Sequence, residues 1–194
     1  MMSFYQFAKT VVKIFLKPKY KVKGSGTENI PKTGPVIICS NHISNYDPPI
    51  VGITCPRPIH FLAKEELFKN KIFGYILRKV HAFPIKRGMK DRNALRQGLN
   101  VLKDGHVLGL FPEGTRSKTG EIKKGLAGAG FFALRSNAAV VPCAIIGSYQ
   151  SKEPLNVVYG KPIAMEQIRK DKLSAQEVTD IIMNEIKKLK ENHS

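Results

Sequence analysis

Six short apolar runs, at 36–39, 59–63, 82–85, 106–111, 139–146 and 156–159, are rich in β-branched or large side chains and bounded by turn residues. A run of that length, apolar throughout rather than alternating, fits a strand covered on both faces. Helical patterns fall between the runs. Asp91 caps a segment whose Ala94, Leu95, Gly98, Leu99 and Leu102 share one face, and 125–137 is compact and rich in Gly and Ala. A capping box, Ser174 to Glu177, precedes Val178, Ile181, Ile182, Ile186 and Leu189, with Lys187, Lys188 and Lys190 suited to the negative helix end. Strands alternating with helices predict an α/β fold: one domain with a largely parallel or mixed sheet flanked by helices. The length of 194 residues suits a single domain.

The N-terminal segment is patterned differently. From 4 to 17, Phe4, Phe7, Ala8, Val11, Val12, Ile14 and Phe15 gather on one side, and Lys9, Lys13 and Lys17 recur opposite them. This predicts an amphipathic, membrane-interface helix over 1–18, followed by the main domain over 19–194. No small-residue cleavage site follows it, and no stretch reaches the ~18 apolar residues of a membrane span. Residues 64–80 form a second basic and apolar stretch, and 20–35, with its glycines and prolines, reads as an irregular connection.

A formal net charge of +17, from 32 Lys and Arg against 15 Asp and Glu, exceeds what solubility needs and points to an anionic partner. Nucleic acid, a phosphorylated substrate and acidic lipid all satisfy it. Cys39, Cys55 and Cys143 make an odd count without C-x-x-C or metal-ligand spacing, which argues against a disulfide framework or a zinc site. Cys39 and Cys143 sit in apolar runs and read as core residues in a reducing compartment.

Three polar segments follow predicted strands. Residues 41–49, N-H-I-S-N-Y-D-P-P, place His42 and Asp47 five apart, a spacing that needs a loop for the side chains to meet. A carboxylate that fixes the imidazole tautomer makes the other ring nitrogen a general base for an alcohol. Asp47 before Pro48 also reads as a helix N-cap. Residues 110–117, L-F-P-E-G-T-R-S, offer Gly114 for a positive φ, hydroxyls on Thr115 and Ser117, and the Arg116 fork for phosphate oxygens, with Glu113 placed to orient that arginine. Residues 83–88, F-P-I-K-R-G, add Lys86 and Arg87. Ligands collect beyond the carboxyl ends of strands in such sheets, so one cleft can hold all three segments.

These blocks, with Val140-Val141-Pro142 and the A-K-E-E-L-F of 63–68, resemble the ordered motifs of the glycerolipid acyltransferases, most closely those acting on 1-acylglycerol 3-phosphate. The similarity runs over about residues 20 to 162. The resemblance implies transfer of a fatty acyl group from a thioester, on acyl carrier protein or coenzyme A, to the 2-hydroxyl of lysophosphatidic acid. Phosphatidic acid is the implied product. It makes His42 the general base and Asp47 its orienting partner, and it gives Asn41, Lys86, Arg87, Glu113, Gly114, Thr115 and Arg116 to substrate binding. Lys64 becomes the candidate oxyanion donor. Neither a metal nor a resident cofactor is expected, and the implied place of action is the cytoplasmic side of the cell membrane, as a peripheral protein. The absence of a G-x-S-x-G elbow agrees with direct transfer. Two other readings remain: an acyltransferase for a different acceptor, such as glycerol 3-phosphate or another lysolipid, and a basic nucleic-acid-binding protein, for which no zinc finger, RNP element or basic zipper is present.

Overall fold

The computed structural model describes residues 3–86, 91–117 and 119–193. Among the described residues, seven strands, β1 (Lys23–Ser25), β2 (Val36–Ser40), β3 (Ile59–Lys64), β4 (Ala82–Ile85), β5 (Val107–Leu110), β6 (Ala139–Ile146) and β7 (Asn156–Tyr159), form one sheet in the order β1-β7-β6-β2-β5-β3-β4. Every pairing is parallel except β6 with β7. The sheet is therefore mixed, and all six strands expected from the sequence are present. β1 adds a seventh within the stretch read as irregular.

Helices α1 (Phe4–Lys19), α2 (Asp47–Thr54), α3 (Lys71–Lys79), α4 (Arg92–Lys103), α5 (Gly128–Leu134), α6 (Met165–Lys170) and α7 (Ala175–Glu191) surround the sheet. Alternation along β2 splits the core. Val36 and Ile38 pack with Ile50, Val51 and Ile53 of α2 and with Val12 and Leu16 of α1. Ile37 and Cys39 face the other way, onto Leu102 of α4, Phe132 of α5, and Val178, Ile182 and Ile186 of α7. Each fully buried side chain of this size contributes roughly 1.5 to 3 kcal/mol from its removal from water. The capping box expected at Ser174 with Glu177 opens α7, and one that was not foreseen, Ser3 with Gln6, opens α1.

Tyr5 is the one residue of α1 that is buried, yet it ties the helix to the domain, because its hydroxyl accepts the Ile59 N–H at 3.0 Å and its ring stacks on His81. Lys9 adds a bond from its ammonium to the Cys55 carbonyl. Phe4, Phe7, Ile14 and Phe15 stay exposed on the outer side. None of the helices in the described residues is long and apolar enough to cross a membrane.

Candidate active site

The central strands β2 and β5 lie side by side in parallel, with Cys39 opposite Leu110, so the segments that follow them leave the same end of the sheet together. His42 and Glu113 meet there. A Glu113 carboxylate oxygen accepts the His42 N–H at 2.8 Å, and the Ser117 N–H donates to the His42 carbonyl at 2.7 Å. The loop after β5 thus grips the backbone of the loop after β2.

The imidazole is fixed separately. His42 Nδ1 lies 2.7 Å from Asp47 Oδ2, and both side chains are buried. The ring stacks on Phe111 at 4.3 Å between centroids and 23° between planes, and Phe111 stacks in turn on Phe61. An apolar wall therefore covers one face of the ring. Asp47 Oδ2 also accepts the N–H groups of Ile43 and Ser44, at 2.6 and 2.7 Å. The loop foreseen from the five-residue spacing is the turn that these two bonds close.

Asp47 is not the N-cap. Tyr46 occupies that position and Asp47 is the first helical residue of α2. Its carboxylate turns back to the loop, because the imidazole and two loop amides supply donors there. On the second oxygen, Oδ1, Asp47 accepts the Tyr149 O–H at 2.7 Å. Burial, followed by the neighbouring Asp47 charge, raises the Tyr149 pKa, so the phenol stays protonated and donates.

Other expected site residues fall into distinct places. Asn41, expected to meet substrate, is buried and clamps β6: its side-chain N–H donates to the Ile145 carbonyl at 3.0 Å, and its oxygen accepts the Ile145 N–H at 2.8 Å. Glu113, expected to orient Arg116, is also buried, and its second oxygen accepts the Lys123 N–H at 3.1 Å. Both carboxylate oxygens are used by backbone donors, so this residue shapes the loop. Gly114 adopts the positive φ foreseen, at 68°, and a Cβ there would lie 2.5 Å from Leu126. Thr115 and Arg116 are exposed beside it.

Lys64 ends β3, half-exposed, with its ammonium 3.5 Å from Glu66. Lys86 follows β4; its N–H donates to Asp91 at 2.9 Å and its ammonium lies 3.9 Å from Glu65. Arg87 lies outside the described residues. Burial pushes the Cys39 thiol up to about 12 and raises that of Cys143 as well, in keeping with core positions rather than nucleophiles. Phe111 and Tyr149 were missed by sequence reasoning. Phe111 looked like the end of an apolar run, and Tyr149 is 102 residues from Asp47.

The family model described as Acyltransferase matches residues 21–146, which include His42, Asp47 and the Glu113 to Ser117 turn. The chain is 31% identical over 196 residues to the 1-acyl-sn-glycerol-3-phosphate acyltransferase of Bacillus subtilis (strain 168), covering 95% of this chain and 96% of that one. The enzyme of the same name from Streptococcus pneumoniae is 30% identical over 86% of this chain and 65% of its own length. The crystal structure of the 1-acyl-sn-glycerophosphate (LPA) acyltransferase of Thermotoga maritima superposes with a TM-score of 0.75, covering 97% of this chain and 81% of that chain at 24% identity. That likeness shows a shared fold.

Proposed function

The chain belongs to the acyltransferase family, and from that premise we propose that it transfers a fatty acyl group from a thioester to the 2-hydroxyl of lysophosphatidic acid, giving phosphatidic acid. The observation that carries the reading is the buried His42–Asp47 pair at the carboxyl end of β2, 2.7 Å apart. With Nδ1–H held by the carboxylate, Nε2 presents the lone pair that takes the hydroxyl proton. The oxygen attacks the thioester carbonyl carbon as that proton leaves. Collapse of the tetrahedral intermediate breaks the carbon–sulfur bond, and the imidazolium returns its proton to the departing thiolate. The ester and a free thiol result, with no acyl group passing through the protein.

Arg116, Thr115 and the Gly114 turn, together with Lys86 and Arg87, take the phosphate of the acceptor in this reading. A guanidinium fork and a turn at positive φ suit a phosphate's several oxygens. Lys64 takes the role of oxyanion donor; its pair with Glu66 is exposed, and such pairs are weak enough to exchange. The donor is acyl carrier protein or coenzyme A carrying the acyl thioester, both anionic and suited to a chain of charge +17.

Both substrates carry hydrocarbon tails, and we assign the outer face of α1 to an anionic membrane surface on the cytoplasmic side, where the protein sits peripherally. Phe7, Ile14 and Phe15 are exposed there, Phe15 to 68%. Ile72, Phe73, Tyr75 and Ile76 of α3 form a second exposed apolar set beside Lys69, Lys71, Arg78 and Lys79. Inserted apolar side chains and roughly 1 kcal/mol per nearby lysine act together at such a surface.

The test is an assay of the purified chain that pairs each thioester donor with lysophosphatidic acid, glycerol 3-phosphate and phosphate-free monoacylglycerol, with products identified by mass. Turnover of lysophosphatidic acid to phosphatidic acid supports the reading. Preference for glycerol 3-phosphate, or no acyl transfer at all, refutes it. Phe7→Glu with Phe15→Glu should weaken binding to anionic vesicles while leaving activity on detergent-dispersed substrate.

A further inference from the structure

We propose that Tyr149 is a positioning residue for acyl transfer: its O–H holds Asp47 Oδ1 and thereby fixes the plane of the carboxylate that orients the His42 ring. The inference rests on the proposed role of the His42–Asp47 pair.

The bonding pattern around Asp47 motivates it. Three donors, His42 Nδ1 and the Ile43 and Ser44 N–H groups, converge on Oδ2. One oxygen held in this way fixes a point, about which the carboxylate can still pivot. Tyr149 binds the other oxygen at 2.7 Å, and two anchored oxygens set the direction of the whole group. The imidazole follows, since its Nδ1–H tracks the lone pair of Oδ2. Asp47 is fully buried, so an Oδ1 without this donor would be an anionic acceptor shut away from water.

Tyr149 is itself held from several directions. Its ring meets Tyr20 edge-on, at 5.0 Å and 83°, and Tyr46 at 5.9 Å, while Tyr20 and Tyr46 lie 5.7 Å apart. The three rings come from separate segments: the C-cap of α1, the residue before α2, and the turn after β6. Gly147, at φ 107°, permits that turn. A phenylalanine would fill the same space among the rings. The hydroxyl is what the packing alone does not require, and it is aimed at the carboxylate.

The experiment compares Tyr149→Phe and His42→Ala with the unaltered chain, using lysophosphatidic acid and an acyl thioester. Tyr149→Phe should lower kcat about tenfold, the scale of a small loss in orientation, with KM for both substrates unchanged within twofold. The downfield proton resonance of His42 Nδ1–H, assigned by its loss in His42→Ala, should shift in Tyr149→Phe. A purely structural tyrosine would move neither reading. If His42→Ala is inactive while Tyr149→Phe keeps its kcat and its resonance, the role of Tyr149 is overturned and the pair stands. Full activity in His42→Ala overturns the pair, and the inference about Tyr149 with it.

Discussion

Glu113 holds His42 by the main chain: its Oε1 accepts the His42 N–H at 2.8 Å across 71 residues of sequence, while Oε2 accepts the Lys123 N–H. The glutamate therefore joins the loop after β2 to both ends of the turn around Gly114. The proposed base and the proposed phosphate site share one support.

Replacing that carboxylate by an amide tests the link. In Glu113→Gln one side-chain position becomes a donor and faces a backbone N–H, so one bond is lost and a buried group goes unpaired. We expect about 2 kcal/mol of destabilisation, measured by urea unfolding, and a fall in kcat of about tenfold to a hundredfold from displacement of His42. Unchanged kcat would mean that the backbone of His42 needs no such support.

Arg116 is exposed at the same turn. If it meets the acceptor phosphate, Arg116→Ala should raise KM for lysophosphatidic acid by about tenfold or more and leave KM for the thioester donor alone, since it removes binding present in the ground state. Steady-state kinetics with each substrate varied in turn gives the answer. Equal use of a phosphate-free acceptor by the unaltered enzyme would contradict the assignment.

The amino end of the sheet carries a different titration. His60 stacks between His81, at 4.5 Å, and His106, at 5.1 Å, with Tyr5 beyond His81. Burial, then the charges His81 and His106 would carry, push its pKa from 6.5 down to about 4. Burial, then His106, lowers that of His81. The unfolded chain thus takes up protons first as pH falls, so stability is unaffected by His60 above about 6.5 and declines between 6.5 and 4, and the lowered His81 pKa acts in the same direction. Partial exposure screens the effect, and about 1 kcal/mol is a reasonable scale for His60. Melting temperature should drop from pH 7 to pH 4.5, and His60→Phe should flatten part of that slope. An identical slope in the variant would remove His60 from the explanation.

Much of this was legible in the sequence where the cause is local. The buried strands announced themselves because continuous apolar runs have few other uses, and His42 with Asp47 stood out because the two are five residues apart on one loop. Gly114 was read from its conformational freedom and has the positive φ expected. β1 was missed since Lys23, Gly24 and Ser25 are exposed and carry no apolar signal; their backbone pairing with Asn156 to Val158 defines the strand. Asn41 and Glu113 were given to substrate through the family resemblance, and the sequence carries no sign of the backbone bonds that each also makes. Their partners, the backbones of Ile145, His42 and Lys123, are set by tertiary packing. The same reason hid Tyr149, whose bond to Asp47 exists only once the turn after β6 comes beside α2.

In the proposed reaction His42 takes the proton of the acceptor hydroxyl. Single-turnover and steady-state rates of His42→Ala, on protein shown by circular dichroism to be folded, measure it most directly. Loss of about two to four orders of magnitude in kcat is expected. A folded His42→Ala protein that acylates lysophosphatidic acid at the unaltered rate would contradict it.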